Sequence, residues 1–262
     1  MCTLTINSAS DRLLVTMSRD ERRDRAPESP PRQHLSSPSM NRWAGPIDGE
    51  AGGTWIGTNA YGLTACLLNT YENEDPLPGS DEKAPLPSRG RIIPMVLGHA
   101  DVESAVRWMT KVFDPSQYRG FILVLAEPGR VARVAWLGGK IVCSQDTRPW
   151  VMESSSSWNQ DSVLPWRDRA FALWMANGSQ FAGDLPAFHT YREPDMAEWS
   201  PLMERDYSAT RSISEVAINE ATGLSTMRYR PVTPGKPLQR EPPHTLSLDL
   251  APRELFTTAP PV

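Results

Sequence analysis

Residues 1–21, MCTLTINSASDRLLVTMSRDE from Met1 to Glu21, set the pattern from which the rest of the chain is interpreted. Apolar and polar residues alternate in two runs separated by the turn formers of residues 8–11, which predicts a β-hairpin. One face of this hairpin is apolar apart from one arginine, with Cys2, Leu4 and Ile6 on the first strand and Leu13, Val15, Met17 and Arg19 on the second. Because opposite residues of a hairpin share a face, Cys2 is predicted to lie opposite Met17 or Arg19.

The position of Cys2, directly after the initiator methionine, has a chemical consequence. Methionine is normally removed when the next residue is as small as cysteine, so the mature chain would begin with a thiol and a free α-amine on one residue. A guanidinium across the hairpin would lower the pKa of that thiol. The residues alone leave a second interpretation open, in which the first strand only packs its apolar face and Arg19, Asp20 and Glu21 form a solvated loop.

The composition predicts one sizeable core with long exposed loops. The chain has 262 residues, of which 39% are hydrophobic and 25 are prolines. Its net charge of −4 does not supply the excess of positive charge that is typical of nucleic-acid-binding proteins. We expect no membrane span, since no run approaches about 20 apolar residues. We also expect no signal peptide, because the N-terminus lacks a basic region followed by an apolar run.

The cysteines and histidines limit the kinds of functional site that the sequence predicts. None of the three cysteines, Cys2, Cys66 and Cys143, belongs to a C-x-x-C pair, which indicates free thiols in a reducing, cytoplasmic compartment. The four histidines have no metal-ligand spacing. The sequence therefore predicts neither a metal site nor a cofactor.

Three segments interrupt the regular patterns. We predict irregular loops over about residues 22–48 and 72–90, and a proline-rich tail from about residue 231. The first loop either covers a site or is a solvated excursion. The strand over residues 63–68 ends in Asn69, whose amide needs hydrogen-bond partners and is either structural or part of a site.

Most of the remaining chain is predicted to form strands in hairpins, with two substantial helices. One helix begins after the N-cap Asp101 and ends near Phe113. The other has Pro165 in its first turn and ends near Met175, with a buried stripe of Trp166, Ala170, Leu173 and Trp174. This pattern indicates an α+β domain in which helices cover antiparallel sheets.

Seven short segments then occur in an order that is typical of one family. They are Met1-Cys2-Thr3-Leu4, Ser18-Arg19-Asp20-Glu21, Gly52-Gly53-Thr54-Trp55-Ile56-Gly57, Leu67-Leu68-Asn69, Ser88-Arg89-Gly90, Pro165-Trp166 and Thr210-Arg211-Ser212. On these segments the chain resembles the NRDE family, whose eukaryotic members are called transport and Golgi organization protein 2. The resemblance implies a single domain over residues 1–262 with the N-terminal-nucleophile hydrolase fold. That fold is a four-layer αββα sandwich of two antiparallel sheets covered by helices.

The resemblance also implies a site. More distantly, the N-terminus is similar to the cysteine amidases that cleave conjugated bile salts and penicillin V. The positions that match those families are Cys2, Arg19, Asp20, Asn69, Asn159 and Arg211. Carried over, Cys2 is the nucleophile, the two asparagines are oxyanion donors, and the arginines and Asp20 are charged neighbours.

Two positions depart from the family pattern. Ser18 stands where the family has asparagine, and Trp158 stands where the family has the serine of a Ser-Asn pair. The second departure affects the role expected of Asn159.

Two functional hypotheses follow. One is a cysteine amidohydrolase that acts on a small-molecule amide or acyl substrate. The other is a non-catalytic protein that binds haem or a lipid in the same pocket.

Overall fold

The structure is a computed structural model of the chain. It describes residues 2–37, 39–71, 86–236, 238 and 242–252. The strands are β1 (Cys2–Ser8), β2 (Arg12–Arg22), β3 (Ser29–Leu35), β4 (Arg42–Ile47), β5 (Ile56–Asn59), β6 (Thr64–Asn69), β7 (Phe121–Glu127), β8 (Arg130–Leu137), β9 (Lys140–Asp146), β10 (Trp150–Ser155), β11 (Phe181–Ala182), β12 (Leu185–Pro186), β13 (Ser208–Asn219), β14 (Leu224–Pro231) and β15 (His244–Asp249). The α-helices are α1 (Ile92–Val96), α2 (Val102–Lys111), α3 (Gln160–Ala176) and α4 (Ala187–Thr190).

Two large antiparallel sheets form the middle of the molecule. The six-stranded sheet has the order β10-β1-β2-β13-β14-β15, and the seven-stranded sheet has the order β3-β4-β5-β6-β7-β8-β9. Side chains of both sheets meet in one apolar core, in which Leu4 and Met17 of the first sheet pack with Cys66 and Val124 of the second. This packing leaves each sheet one outer face for a helical layer, as the αββα sandwich requires.

The helices cover those two outer faces. Helices α1 and α2 pack on the seven-stranded sheet through a second apolar core that includes Ile93, Met109 and Phe121. Helix α3 contacts β10, and α4 contacts β2, so they cover the six-stranded sheet. Asp101 caps α2 as predicted, since its Oδ1 accepts a hydrogen bond of 2.7 Å from the backbone N–H of Ser104.

The prediction of an irregular segment over residues 22–48 is wrong. This segment contains β3 and β4, which pair antiparallel with a register irregularity between Ser29 and Arg32. Strand β3 is the edge of its sheet, and Pro30 and Pro31 lie within it. An edge strand tolerates proline because one side of its backbone has no ladder to complete. Most of the predicted loop 72–90 lies outside the described residues, and residues 89–91 form a short 3₁₀ helix.

Helix α3 differs from the prediction in its start and in its buried stripe. It begins at Gln160, so Pro165 lies inside the helix instead of in its first turn. Its buried residues are Val163, Arg167 and Trp174, while Leu173 is 65% exposed. The apolar pattern was misleading here because α3 lies on a sheet face that is rich in hydroxyl groups, where an arginine finds hydrogen-bond partners.

Candidate active site

The site is built on the first residue of β1. Cys2 lies between two strands, opposite Arg19 of β2 and Ser155 of β10. Of the two predicted partners, Met17 and Arg19, the register therefore places Arg19 opposite Cys2. The Cys2 side chain is buried, and its backbone nitrogen donates a hydrogen bond of 3.2 Å to Ser155 Oγ. A central strand paired on both sides holds this residue in one position.

A cavity of about 280 Å³ opens beside Cys2. Cys2, Arg19, Asp20 and Asn69 all line it, so the fold brings together four of the six residues that the sequence singled out. Its remaining wall comes from residues 53–55 and 86–90, with Glu21, Arg25, Asp48, Leu67 and Arg119. The cavity is thus small and strongly charged.

Two of the motif segments meet in this wall. The backbone N–H of Thr54 donates to the carbonyl oxygen of Gly90 at 3.1 Å. A Cβ atom at Gly90 would lie 2.8 Å from Thr54 N, and one at Gly53 would lie 2.8 Å from the carbonyl carbon of Gly90. Both positions need glycine because the two backbones touch. This contact explains why the Gly-Gly-Thr-Trp and Ser-Arg-Gly segments belong to one pattern.

Carboxylates surround the guanidinium of Arg19. Its Nη1 donates to Glu28 Oε2 at 3.2 Å, and its Nη2 pairs closely with Asp48 Oδ2. The guanidinium carbon also lies 4.4 Å from the ring centroid of Trp55. These partners compensate the positive charge of Arg19, so little of it remains to stabilise a thiolate.

The expected lowering of the Cys2 pKa is wrong. Burial raises the pKa of the Cys2 thiol and outweighs the opposing effect of the positive amino terminus and of Arg19. The backbone N–H of Asp20 forms a hydrogen bond with the thiol that favours the thiolate, but this contact is weaker than the cost of burial. The thiol is therefore protonated in this state and needs a base.

A second arginine completes the charged wall. Arg25 donates from Nε to Asp48 Oδ2 at 2.9 Å and from Nη2 to Asp48 Oδ1 at 2.8 Å. Burial alone would raise the pKa of Asp48, but the bonds from Arg25 and the nearby charge of Arg19 lower it to about 2. Asp48 is thus ionised and holds both guanidinium groups at the cavity.

Asp20 lies on the opposite face of β2 from Arg19, under the helical layer. Its Oδ1 accepts a hydrogen bond of 2.7 Å from Thr210 Oγ1, and its Oδ2 lies 3.6 Å from Arg167 Nη2. Burial raises the pKa of Asp20 above its usual range, and Arg167 is the largest influence that lowers it. The side chain of Asp20 is therefore held by the helical layer, while the backbone N–H of Asp20 contacts the Cys2 thiol.

The other two predicted site residues are not at the cavity wall. Asn159 is exposed at the start of α3, with a left-handed φ of 44°, and it is not among the described residues that line the cavity. Arg211 occupies the bulge of β13, and its Nη1 donates to the backbone oxygens of Arg22, Arg23 and Arg25. It also lies 4.0 Å from Glu28, so Arg19 and Arg211 share one carboxylate.

Sequence reasoning missed several contributors, among them Ser155, Arg167 and Glu28. Ser155 is one of four consecutive serines, and only the register of β10 against β1 shows which of them accepts the hydrogen bond of the Cys2 nitrogen. Arg167 follows the Pro-Trp pair, but an arginine in a helix is usually solvated and gave no signal. Glu28 stands in the segment that was predicted to be irregular.

Among the described residues, no group of three His, Cys, Asp or Glu side chains could hold a metal ion. None of the helices in the described ranges is long and apolar enough to cross a membrane. All three cysteines are free, with Cys2 and Cys66 buried and Cys143 exposed.

Comparison with known protein families shows the family to which this chain belongs. Residues 1–166 match the model of the family described as Transport and Golgi organisation 2. The chain belongs to this family. The match covers Cys2, Arg19, Asp20, Asn69 and Asn159, whereas Arg167 lies just beyond it. No curated protein matches the chain significantly.

Solved structures show the fold of this family member. The chain is similar to penicillin V acylase from Agrobacterium tumefaciens, with 17% identity and a TM-score of 0.52 over 98% of this chain and 94% of that one. It is also similar to the Caenorhabditis elegans ortholog of N-acylethanolamine-hydrolyzing acid amidase, with 9% identity and a TM-score of 0.51 over 82% and 92%. The predicted αββα fold of N-terminal-nucleophile hydrolases is thereby confirmed.

Proposed function

We propose that the chain is a cysteine amidohydrolase that cleaves a non-peptide amide bond of a small molecule through an acyl-enzyme on Cys2. The placement of this residue carries the proposal, because Cys2 lines the cavity and its backbone nitrogen contacts Ser155 Oγ at 3.2 Å. Two structures with the same fold are named for amide chemistry, one as an acylase and one as an acid amidase.

Removal of Met1 would convert the backbone nitrogen of Cys2 into an α-amine with a reference pKa of about 7.7–8.0. Because burial raises the pKa of the thiol, Cys2 needs this base. The neutral α-amine takes the thiol proton while the sulfur attacks the substrate carbonyl carbon. Ser155 accepts a hydrogen bond from the amine, and the nearby Asp20 carboxylate favours its protonated form.

The attack moves the carbonyl π electrons onto oxygen and gives a tetrahedral oxyanion. In this proposal the amide of Asn69, which lines the cavity, donates to it, a role worth roughly 2.7–4 kcal/mol per donor. The C–N bond then breaks, the α-ammonium returns its proton to the leaving amine, and a thioester remains on Cys2. Water attacks this thioester with the amine again as base, which releases a carboxylic acid and restores the thiol.

In this proposal Arg19 shapes the cavity instead of activating the thiol. Its partners Glu28 and Asp48 fix the guanidinium above Trp55, where it forms one wall for the substrate. Arg211 supports the same wall through Glu28 and the backbone of the β2–β3 connection.

We also propose a reducing, cytoplasmic location, because all three cysteines are free.

One observation favours the alternative of a non-catalytic haem or lipid carrier, namely the raised pKa of the Cys2 thiol. Against it stands the wall of arginines and carboxylates around the cavity, since a lipid chain or a porphyrin needs a mostly apolar pocket.

The test is acylation of the purified chain by p-nitrophenyl acetate, followed by intact mass and peptide mapping. A Cys143→Ser background removes the exposed thiol, which would otherwise react first. We expect a chain that lacks Met1 and carries one acetyl group on Cys2, no acylation of the buried Cys66, and no adduct in Cys2→Ala. A chain that fully retains Met1, or that acylates Cys2 no faster than Cys66, would overturn the proposal in favour of the carrier.

A further inference from the structure

Arg167 is the most deeply buried charge of the helical layer behind Cys2. Its side chain has no exposed surface, and it reaches down from α3 onto the outer face of the six-stranded sheet. A guanidinium without water needs a hydrogen-bond partner for each N–H group and a nearby negative charge. The identity of those partners shows what this residue supports.

The hydroxyl partners of Arg167 lie beside the nucleophile, one on β1 and one on β10. Its Nη1 donates to Thr3 Oγ1 at 2.8 Å and to Ser154 Oγ at 2.9 Å. Thr3 follows Cys2 in β1, and Ser154 precedes the serine that accepts the hydrogen bond of the Cys2 nitrogen. Two backbone carbonyls, of Trp199 and Ser200, accept the bonds from Nε and Nη2 at 2.8 and 3.2 Å.

The carboxylate nearest to Arg167 is Asp20. The two groups are both fully buried, with Nη2 and Oδ2 3.6 Å apart. Thr210 holds the other carboxylate oxygen at 2.7 Å. Arg167 therefore contacts Thr3, the residue after Cys2, and the side chain of Asp20. The backbone N–H of Asp20 in turn contacts the Cys2 thiol.

We propose that Arg167 is a positioning residue for the reaction at Cys2: it holds the buried Asp20 carboxylate ionised and oriented toward the Cys2 α-amine. This inference rests on the proposed function, because the α-amine exists only after removal of Met1. Arg167 is not itself among the described residues that line the cavity, and it acts through Asp20 and Thr3. An ionised Asp20 stabilises the α-ammonium that forms when the amine accepts the thiol proton.

The other titratable groups in this layer come from three elements and from β2 itself. The Cys2 thiol and the amino terminus lie on the β1 side, Arg205 belongs to the segment before β13, and Arg19 and Glu21 are beside Asp20 in sequence. His189 of α4 contacts Ser18 and is influenced by Arg167. His189 is neutral, since burial and Arg167 lower its pKa to about 3. Arg205 also lowers the pKa of Asp20, but Arg167 has the larger effect.

The experiment follows the titration of Asp20 by ¹³C carboxyl NMR and the acetylation rate of Cys2 by p-nitrophenyl acetate, in the Cys143→Ser background. Asp20→Asn assigns the resonance. We expect Arg167→Gln to raise the Asp20 midpoint by about 1–3 pH units, because an opposite charge at this distance lowers a carboxyl pKa by that amount. Arg167→Lys keeps the charge and should show a smaller rise. Thr210→Val is the matched control, which removes a hydrogen bond of Asp20 and keeps the cation.

The acetylation rate separates positioning from a purely structural role. Arg167→Gln and Asp20→Asn should each slow acetylation by about tenfold or more, and the double variant should be no slower than the slower single variant. If Arg167→Gln does not fold, the double variant can still be measured, because removing both buried charges is better tolerated than leaving one buried charge unpaired.

An unchanged Asp20 midpoint in the arginine variants, or fully multiplicative losses in the double variant, would overturn the positioning role while leaving Cys2 reactive. A Cys2 that is unreactive in the unmodified chain would instead overturn the proposed function, and the positioning role with it.

Discussion

Beneath α1 and α2 the outer face of the seven-stranded sheet is apolar, whereas beneath α3 and α4 the outer face of the six-stranded sheet is lined with hydroxyl groups and charges. The first interface consists of side chains such as Ile93, Val96 and Met109 on Leu123 and Phe121. The second includes the polar contacts of Arg167 and His189 with Thr3, Thr5, Ser18 and Asp20.

The difference shows how the two layers contribute to the molecule. Apolar packing has little directional preference and mainly supplies stability. Hydrogen bonds to buried hydroxyls fix the orientation of each partner, and an unpaired member is costly. The polar layer lies behind the strand that carries Cys2, so the directional interactions are placed where a reaction would need fixed geometry.

The largest expected effect is on the apolar side. Met109 is fully buried in α2, and Met109→Ala should lower the free energy of unfolding by about 2–5 kcal/mol, because the methylene groups are lost and a cavity remains. Chemical denaturation measures this change. Acetylation of Cys2 per folded molecule should stay the same, and a tenfold slower rate would show that the two layers are not separate in their roles.

A smaller effect is expected from a single hydroxyl of the polar side. Ser18 Oγ lies 2.8 Å from His189 Nδ1, and both residues are buried. Ser18→Ala leaves that ring nitrogen without this partner and should cost about 1–3 kcal/mol. Thr110→Ala is a suitable control, since the Thr110 hydroxyl is exposed and should change stability by no more than about 0.5 kcal/mol. Equal losses in both variants would contradict the contrast between the layers.

The polar layer should also give the protein an acid sensitivity. His189 bonds Thr5 and Ser18, and burial lowers its pKa to about 3 from an ordinary value of about 6.5. A lowered pKa means that the stabilisation is fully present above about pH 6.5 and is lost as the pH falls toward 3. The slope should approach about 1.4 kcal/mol per pH unit, and His189→Gln should flatten it. Unfolding free energies measured from pH 7 to 4 in both proteins provide the comparison, and identical slopes would exclude His189 as the cause.

The smallest effect is expected where neither layer is involved. Arg107 and Glu103 form an ion pair of 2.9 Å on the exposed side of α2. Arg107→Ala should lower the unfolding free energy by only about 0.3–0.5 kcal/mol, less at high salt. A loss comparable to that of Ser18→Ala would mean that exposed pairs matter as much as the buried polar layer.

The sequence by itself determined the β1–β2 hairpin, its register to within two alternatives, and the capped helix α2. These features depend on periods of two and 3.6 residues and on one capping residue, which are local properties. The ordered motifs also determined the family and the αββα fold. They did not reveal β3, because an exposed edge strand with prolines lacks the alternation that marks a buried one.

Only the tertiary structure decided the charges at the site. Cys2 and Arg19 are neighbours as the hairpin predicts, yet Glu28 and Asp48 compensate the guanidinium and burial raises the pKa of the thiol. The link between Asp20 and Arg167 likewise joins distant parts of the chain. The cost of burying a charge depends on everything that packs around it, and no period or motif encodes that environment.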